Sequence, residues 1–379
     1  MNEDVEKVDL GVDVPEIPLE DFEAPDAKLD TALNLVNSYT GSIDFGIVGS
    51  GQCGGRLAKS FHTIGYNKTI AVNTAKADLS PLDLPLAQKL LIGSVEGSGK
   101  SMLKGFRATD SASQKIFDLM RDVFGTVDKI VLCAGFGGGT GAGSLEVLID
   151  ISVKYMKFLG KKNPEKDIIL VAALPTAGEL NSHVVRSNVA AIEKAMFTRS
   201  KDGMLGPIIL IDNSKIEKLY RGIPPKVFWS TINDTITGLF HMFNFLSKQS
   251  SEYTSFDAED YRTVLSASGV SVLGVAKVVA EDYSQVKLAQ ALQDNFKKTL
   301  LSDVAKFSTA KEAACIVLAD DAVLSSLSMD VINYGIDSIS NLIASANVHR
   351  GLYGSKKVGI RTYTLISGME AIIDGDKQL

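Results

Sequence analysis

The segment that most constrains this chain is Cys133-Ala134-Gly135-Phe136-Gly137-Gly138-Gly139-Thr140-Gly141-Ala142-Gly143-Ser144. Six glycines fall in nine positions, between an apolar run at 129–134 that reads as a strand and a helical pattern at 144–158. Without Cβ atoms, backbone N–H groups can close around an anion. The helix that follows points the positive end of its dipole at the same spot. A flexible connector has no need of so many glycines. The pattern implies a di- or triphosphate ligand held by Gly137, Gly138, Gly139 and Gly141, with Thr140 adding a hydroxyl.

A second glycine-rich turn, Gly49-Ser50-Gly51-Gln52-Cys53-Gly54-Gly55, joins a strand at 43–48 to a helix ending near residue 63. It satisfies G-x-G-x-x-G, the turn of Rossmann-type oxidoreductases. Those enzymes place an acid at the end of the next strand to hold a ribose hydroxyl. Here the strand at 69–72 runs into Asn73-Thr74, an amide and a hydroxyl. A third turn, Glu96-Gly97-Ser98-Gly99-Lys100-Ser101, imitates the end of a Walker A loop, but Ser94 stands where that loop needs glycine. No clear apolar helix follows. A short phosphate-contacting turn built on Gly97, Ser98, Gly99 and Lys100 fits better.

Around these turns the pattern alternates. Strands are expected at 43–48, 69–72, 90–92, 129–134, 167–174 and 207–211, with helices near 111–123, 144–158 and 184–196. This is the signature of an α/β fold, a parallel sheet with helices on both faces, which binds ligands at the C-terminal ends of its strands. A long apolar helix at 226–248 follows Pro224-Pro225. Strands at 270–279, 313–318 and 358–366 then indicate a second, smaller α/β domain. The expected division is an acidic N-terminal tail and short helix (1–40), a nucleotide-binding domain (41–224), a central helix with an acidic loop (225–260) and a C-terminal domain (261–379).

Composition narrows the function. The longest clean apolar run, 168–174, is far below the ~18 residues of a membrane span. The acidic N-terminus lacks the form of a secretory signal. Three scattered cysteines (Cys53, Cys133, Cys315) make neither a disulfide framework nor a zinc site, so a cytoplasmic setting is expected. Cys133 reads as buried strand. Residues 1–30 hold eleven acids against two lysines, which leaves the rest of a chain of net charge −6 at +3. That near-neutral body argues against direct nucleic-acid binding. His62, His183, His241 and His349 show no metal spacing and read as structural or surface residues.

Three phosphate-type turns on successive strands, without the companions of a dehydrogenase or kinase, resemble the tubulin/FtsZ superfamily of polymerising GTPases. Gly137–Gly143 matches the family signature G-G-G-T-G-[ST]-G, with Ala142 at its one variable place. Gly51-Gln52-Cys53-Gly54 looks like the tubulin form of the first loop, and Ala71-Val72-Asn73-Thr74 the FtsZ form of the second-strand motif. The likeness runs from about residue 43 to 369 and looks closest to the plasmid and phage TubZ-type branch. It implies bound GTP or GDP with Mg2+. Glu179 would accept the ribose hydroxyls, Asn213 and Asn233 would read the guanine edge, and Trp229 would stack on the base. Gln52 would approach the phosphates and the metal ion. Where FtsZ-type proteins carry a phosphate-side arginine this chain has His183, with Arg186 three residues on.

The run Ser255-Phe256-Asp257-Ala258-Glu259-Asp260-Tyr261-Arg262-Thr263-Val264 resembles the FtsZ catalytic loop, with Asp257 and Asp260 on its two aspartates and Glu259 a weaker candidate. In the family this loop reaches the nucleotide of the next subunit. The resemblance therefore implies a GTPase whose partner is itself, in head-to-tail filaments, for plasmid or phage DNA or particle positioning. An adaptor protein stays open as a further partner, and no membrane is involved. Two alternatives remain: a nucleotide-binding scaffold without hydrolysis, and a Rossmann-type NAD(P) oxidoreductase. Taken alone, Asp257 and Asp260 would also suit an acidic turn that caps the next helix.

Overall fold

Strands β1 (Phe45–Ser50) and β5 (Ile168–Leu174) are buried along their whole length, and β4 (Lys129–Gly135) along all but its last residue. Continuous apolar runs of this kind need cover on both faces, the condition of a central parallel strand. The computed structural model describes residues 41–93, 96–219, 224–278, 286–287, 289–290, 301–302, 305–343, 346–355 and 359–372. The expected acidic tail and the helix at 26–39 lie outside them, as does Ser94.

After β1 the chain continues through α1 (Gly51–Thr63), β2 (Thr69–Asn73), α2 (Lys76–Leu79) and β3 (Lys89–Leu91). Helices α3 (Met102–Ser111) and α4 (Ser113–Phe124) lead to β4, and α5 (Gly139–Phe158) to β5. Next come α6 (His183–Lys201), β6 (Pro207–Asp212), α7 (Asn213–Leu219), α8 (Pro225–Leu246), α9 (Ala258–Val264) and β7 (Gly269–Val278). The last part holds β8 (Ala305–Lys306), β9 (Glu312–Asp320), α10 (Asp321–Ser326), α11 (Met329–Leu342), β10 (Asn347–Ser355) and β11 (Ile360–Ala371).

The strands form one sheet in the order β10-β9-β11-β7-β6-β5-β4-β1-β2-β3, with β8 on β11. From β3 to β7 every neighbour is parallel; β11 is antiparallel to β7 and β9, and β9 and β10 are parallel. The C-terminal strands thus extend the first sheet through Pro207↔Gly269, Ile208↔Val270 and Ile209↔Ser271. Side chains alternate between two cores. Ile130 and Leu132 of β4 join the core under α4, α5 and α6, whereas Val131 and Cys133 join the one under α1 and α8. In the second core Phe240 of α8 meets Phe45 at 5.0 Å and Phe61 at 5.3 Å, both edge-on. Each such pair is worth about 0.5–1.5 kcal/mol beyond the area it buries.

The turn at 96–101 is followed by a helix, and as expected not an apolar one: α3 starts at Met102, and the Ser101 hydroxyl caps it by accepting from the Lys104 N–H at 3.3 Å. It has no apolar stripe because it packs through small residues. Only Gly105 and Thr109 are buried, and a Cβ at Gly105 would collide with the Gly139 carbonyl. The helix expected from 144 begins at Gly139, so the last glycines of the signature are helical. Strand β10, unforeseen in the sequence, is exposed at Asn347 and only part-buried over Val348–Arg350, so alternation is weak there.

Candidate functional site

Strand order reverses at β1, whose neighbours are β2 and β4. Parallel sheets bind ligands in the crevice at such a switch point, beyond the C-terminal strand ends. Both long glycine turns are there. A cavity of about 220 Å3 opens between them, lined by Gly51, Gln52, Cys53, Gly137, Gly138 and Gly141, by Lys100 of the third turn, and by Glu179 and Asn213. Nine residues singled out in three separate turns and two later loops thus meet in one place. Its volume is below the ~300–1,000 Å3 of a site enclosing a whole small molecule.

Two helices begin at this cavity. α1 starts after Ser50 and α5 after Gly138, and neither has a side-chain N-cap. Ser50 is a capping residue type, yet its hydroxyl pairs with that of Ser144 at 2.6 Å. The first N–H groups of both helices are therefore left for another acceptor, and both dipoles favour an anion. Gly51 turns the chain at φ +70, a conformation that glycine tolerates. A Cβ at Gly138 would meet only the Gly135 carbonyl oxygen, at 4.0 Å, so that position borders open space.

Other glycines serve packing. A side chain at Gly54 would collide with the Cys133 carbonyl, and one at Gly139 with Ser98 and the Lys100–Ser101 backbone. Thr140 and Ser98 are buried and do not line the cavity. The Thr140 hydroxyl pairs with that of Thr74 at 2.6 Å and with that of Ser98 at 3.1 Å, which fastens the long glycine loop to the end of β2 and to the third turn. Gly97 and Gly99 shape the third turn, at φ +90 and +56. Lys100 follows at φ +62, the one non-glycine with positive φ among the described residues. Asn73 is buried at the end of β2; its amide oxygen accepts from the Ala75 N–H at 3.1 Å and its amide nitrogen has no partner.

Glu179 closes its own loop, accepting from the Thr176 N–H at 2.9 Å while its N–H donates to the Thr176 hydroxyl at 3.3 Å. Arg186 does not line the cavity. Its guanidinium donates to the Leu180 and Asn181 carbonyls at 2.6 and 3.1 Å. Cys53 sits on the cavity wall; burial pushes its thiol up to about 11, with Glu179 adding to the shift and Arg56 opposing it. Trp229 and Asn233 lie on α8 outside the lining; Trp229 is half-buried edge-on to Phe228, and Asn233 is buried. Gln52 donates to Asp78 at 2.8 Å. Nothing in the sequence marks Asp78, since an isolated polar residue carries no pattern.

The acidic turn lies at the other end of the sheet. Asp257 is the N-cap of α9, accepting from the Glu259 and Asp260 N–H groups at 2.8 and 3.0 Å. Asp260 answers by accepting from the Asp257 N–H at 3.1 Å, a capping box. The capping role weighed from sequence is therefore real. Glu259 borders a cavity with Lys129, the first residue of β4, and with Glu312, the first of β9. The glycine loop follows the last residue of β4. At about 3.3 Å per residue, that strand puts roughly 20 Å between the two features.

Residues 45–221 match a family model described as Tubulin/FtsZ family, GTPase domain. The chain carries a tubulin/FtsZ-family GTPase domain. Relatives of this domain and its extension include the tubulin-like protein CetZ of Thermococcus kodakarensis, 28% identical over 85% of this chain and 81% of that protein. The tubulin-like protein TubZ of Bacillus cereus is 26% identical over 62% of this chain and 55% of that protein. A GTPγS-form protofilament of TubZ from Bacillus thuringiensis serovar israelensis shares the fold, with TM-score 0.74 at 16% identity over 89% of this chain and 90% of that one. A GTPγS-bound protofilament of CetZ2 from Haloferax volcanii does so with TM-score 0.70 at 19% identity, over 88% and 96%. The likeness spreads across CetZ and TubZ and does not single out the TubZ-type branch.

Proposed function

We propose that the protein binds GTP in the cavity at the C-terminal ends of β1 and β4, and hydrolyses it only when a second copy presents its α9 turn. The observation that carries this reading is the placement of the glycine loop and the acidic turn at opposite ends of β4. No side chain spans roughly 20 Å, so one subunit cannot bring its own Asp257 or Asp260 to its own cavity. Subunits stacked head to tail can. Such a contact is heterologous and, left unclosed, builds a filament. The protofilaments formed by TubZ and CetZ2 support this arrangement.

In this reading the free N–H groups of α1 and α5, with the 97–100 turn, hold the phosphates. Glu179 takes the ribose, and Asn213 the base edge. Asp260 of the next subunit orients water in line with the γ-phosphate, and Asp257 holds it in place through the shared cap. Asn233 and Trp229 complete the base site once α8 is engaged. Mg2+ would be held here by the Gln52 amide oxygen, whose side chain the bond to Asp78 orients, and would supply positive charge to the phosphates. Among the described residues, no cluster of three His, Cys, Asp or Glu side chains could hold a metal by itself. The cargo, plasmid or phage DNA or particles, rests on the TubZ likeness alone.

The test is Asp260→Ala. The variant should bind GTP as the wild type does, lose turnover by at least 100-fold and form filaments that outlast the wild-type ones. Wild-type turnover in Asp260→Ala would remove the assignment. Nucleotide binding and assembly with no hydrolysis in the wild type itself would favour the scaffold reading.

A further inference from the structure

The segment leading to α9 is laid along β10. Thr254 bridges Leu352, and the Ser251 hydroxyl also bonds the Leu352 carbonyl. The Phe256 N–H donates to the Tyr353 hydroxyl at 2.9 Å. One contact reaches the acid itself. His349, on the same strand, has Nδ1 2.7 Å from Asp260 Oδ1 and Nε2 3.0 Å from Glu312 Oε2. Glu312 is held in turn, its other oxygen accepting from the Asn347 amide at 3.1 Å.

Both ring nitrogens thus face carboxylate oxygens, and a hydrogen bond to an ionised carboxylate is of the stronger, charge-assisted kind. The Asp260 oxygens are then both assigned, Oδ1 to His349 and Oδ2 to the Asp257 N–H. The His349 side chain is 19% exposed and that of Asp260 31%, so this contact is neither sealed in the core nor free in solvent.

We propose that His349 is a positioning residue for hydrolysis: clamped between Glu312 and Asp260, it fixes the Asp260 carboxylate in one rotamer and ties α9 to the β9–β10 edge of the sheet. This rests on the reading that Asp260 acts on the neighbouring subunit's nucleotide. The acid is delivered across an interface, where a displacement of about 1 Å can lower a rate 100-fold. A ring that pins it to the sheet removes that freedom before the subunits meet.

The test uses the full chain with His349→Ala, His349→Gln, Asp260→Ala and the Asp260→Ala/His349→Ala pair. GTP affinity is measured on dilute subunits and kcat on assembled ones at saturating GTP. His349→Ala should lower kcat 10- to 100-fold and leave GTP affinity within twofold, because the cavity lies at the far end of the sheet. His349→Gln, which keeps a donor, should fall between wild type and His349→Ala. The pair should match Asp260→Ala, since His349 acts through that acid. Wild-type kcat in His349→Ala would overturn the proposal, as would a parallel loss of GTP affinity in both His349 variants. Asp260→Ala by itself decides the underlying reading: wild-type turnover there removes the role of the acid, not that of its clamp alone.

Discussion

Asn188 of α6 donates its side-chain amide to the carbonyl of Lys100 at 2.9 Å. The same nitrogen lies 3.3 Å from the carbonyl of Gly137. One buried residue therefore ties the third turn to the long glycine loop, and does so at the one described non-glycine held at positive φ. Residues in sparsely populated backbone regions persist only where their surroundings hold them. Lys100 lines the cavity, so the held conformation bears on what binds there. Asn188→Ala leaves two carbonyls without this donor, a loss of about 1–3 kcal/mol. GTP affinity should fall roughly 10-fold, with the midpoint of urea unfolding lowered. Equilibrium nucleotide titration checks this.

The glycines of the signature divide by what a methyl group would meet. Gly54→Ala drives a Cβ into the Cys133 carbonyl, so it should destabilise the whole domain by more than ~2 kcal/mol, read by thermal unfolding. Gly138→Ala has room within the protein and should leave unfolding unchanged while weakening GTP binding at least 10-fold. Equal unfolding midpoints for both variants would show that the two glycines do not differ in this way.

Much of this was legible in the sequence, and the remainder has a physical reason for being hidden. Glycine density and apolar runs exposed the turns and central strands, because close backbone approach and two-sided burial leave few alternatives. Nothing in a linear pattern separates Gly138, which borders space, from Gly139, which packs on the 98–101 turn. Helix α3 escaped because it packs through Gly105 and Thr109. Asn188 and His349 act through contacts 88 and 89 residues away in sequence, a separation that no local periodicity can encode. His349, read as a structural or surface residue, turned out to hold one of the two acids.

His241 provides a pH prediction. Burial on α8 pushes its imidazole down to about 4 from the ordinary 6.5. Its Nδ1 lies 3.3 Å from the Tyr66 hydroxyl. A base with a depressed folded pKa binds protons more readily when unfolded, so its stabilisation is complete above about pH 6.5 and is lost as pH falls towards 4. The loss should reach roughly 3 kcal/mol. His241→Phe should flatten the dependence of the urea midpoint on pH across this window.

Trp229 is the only tryptophan in the chain. If guanine stacks on it when α8 is engaged, GTP and GDP should shift its emission, and NAD should not. An unchanged spectrum at saturating GTP would place the base elsewhere.

The central claim is that two subunits make one hydrolytic site, and specific turnover against total protein concentration tests it most directly. With GTP and Mg2+ saturating, phosphate release per subunit should be near zero when dilute, rise steeply through the assembly threshold and then level off. A rate per subunit that stays at its full value in dilute, monomeric protein would contradict the account.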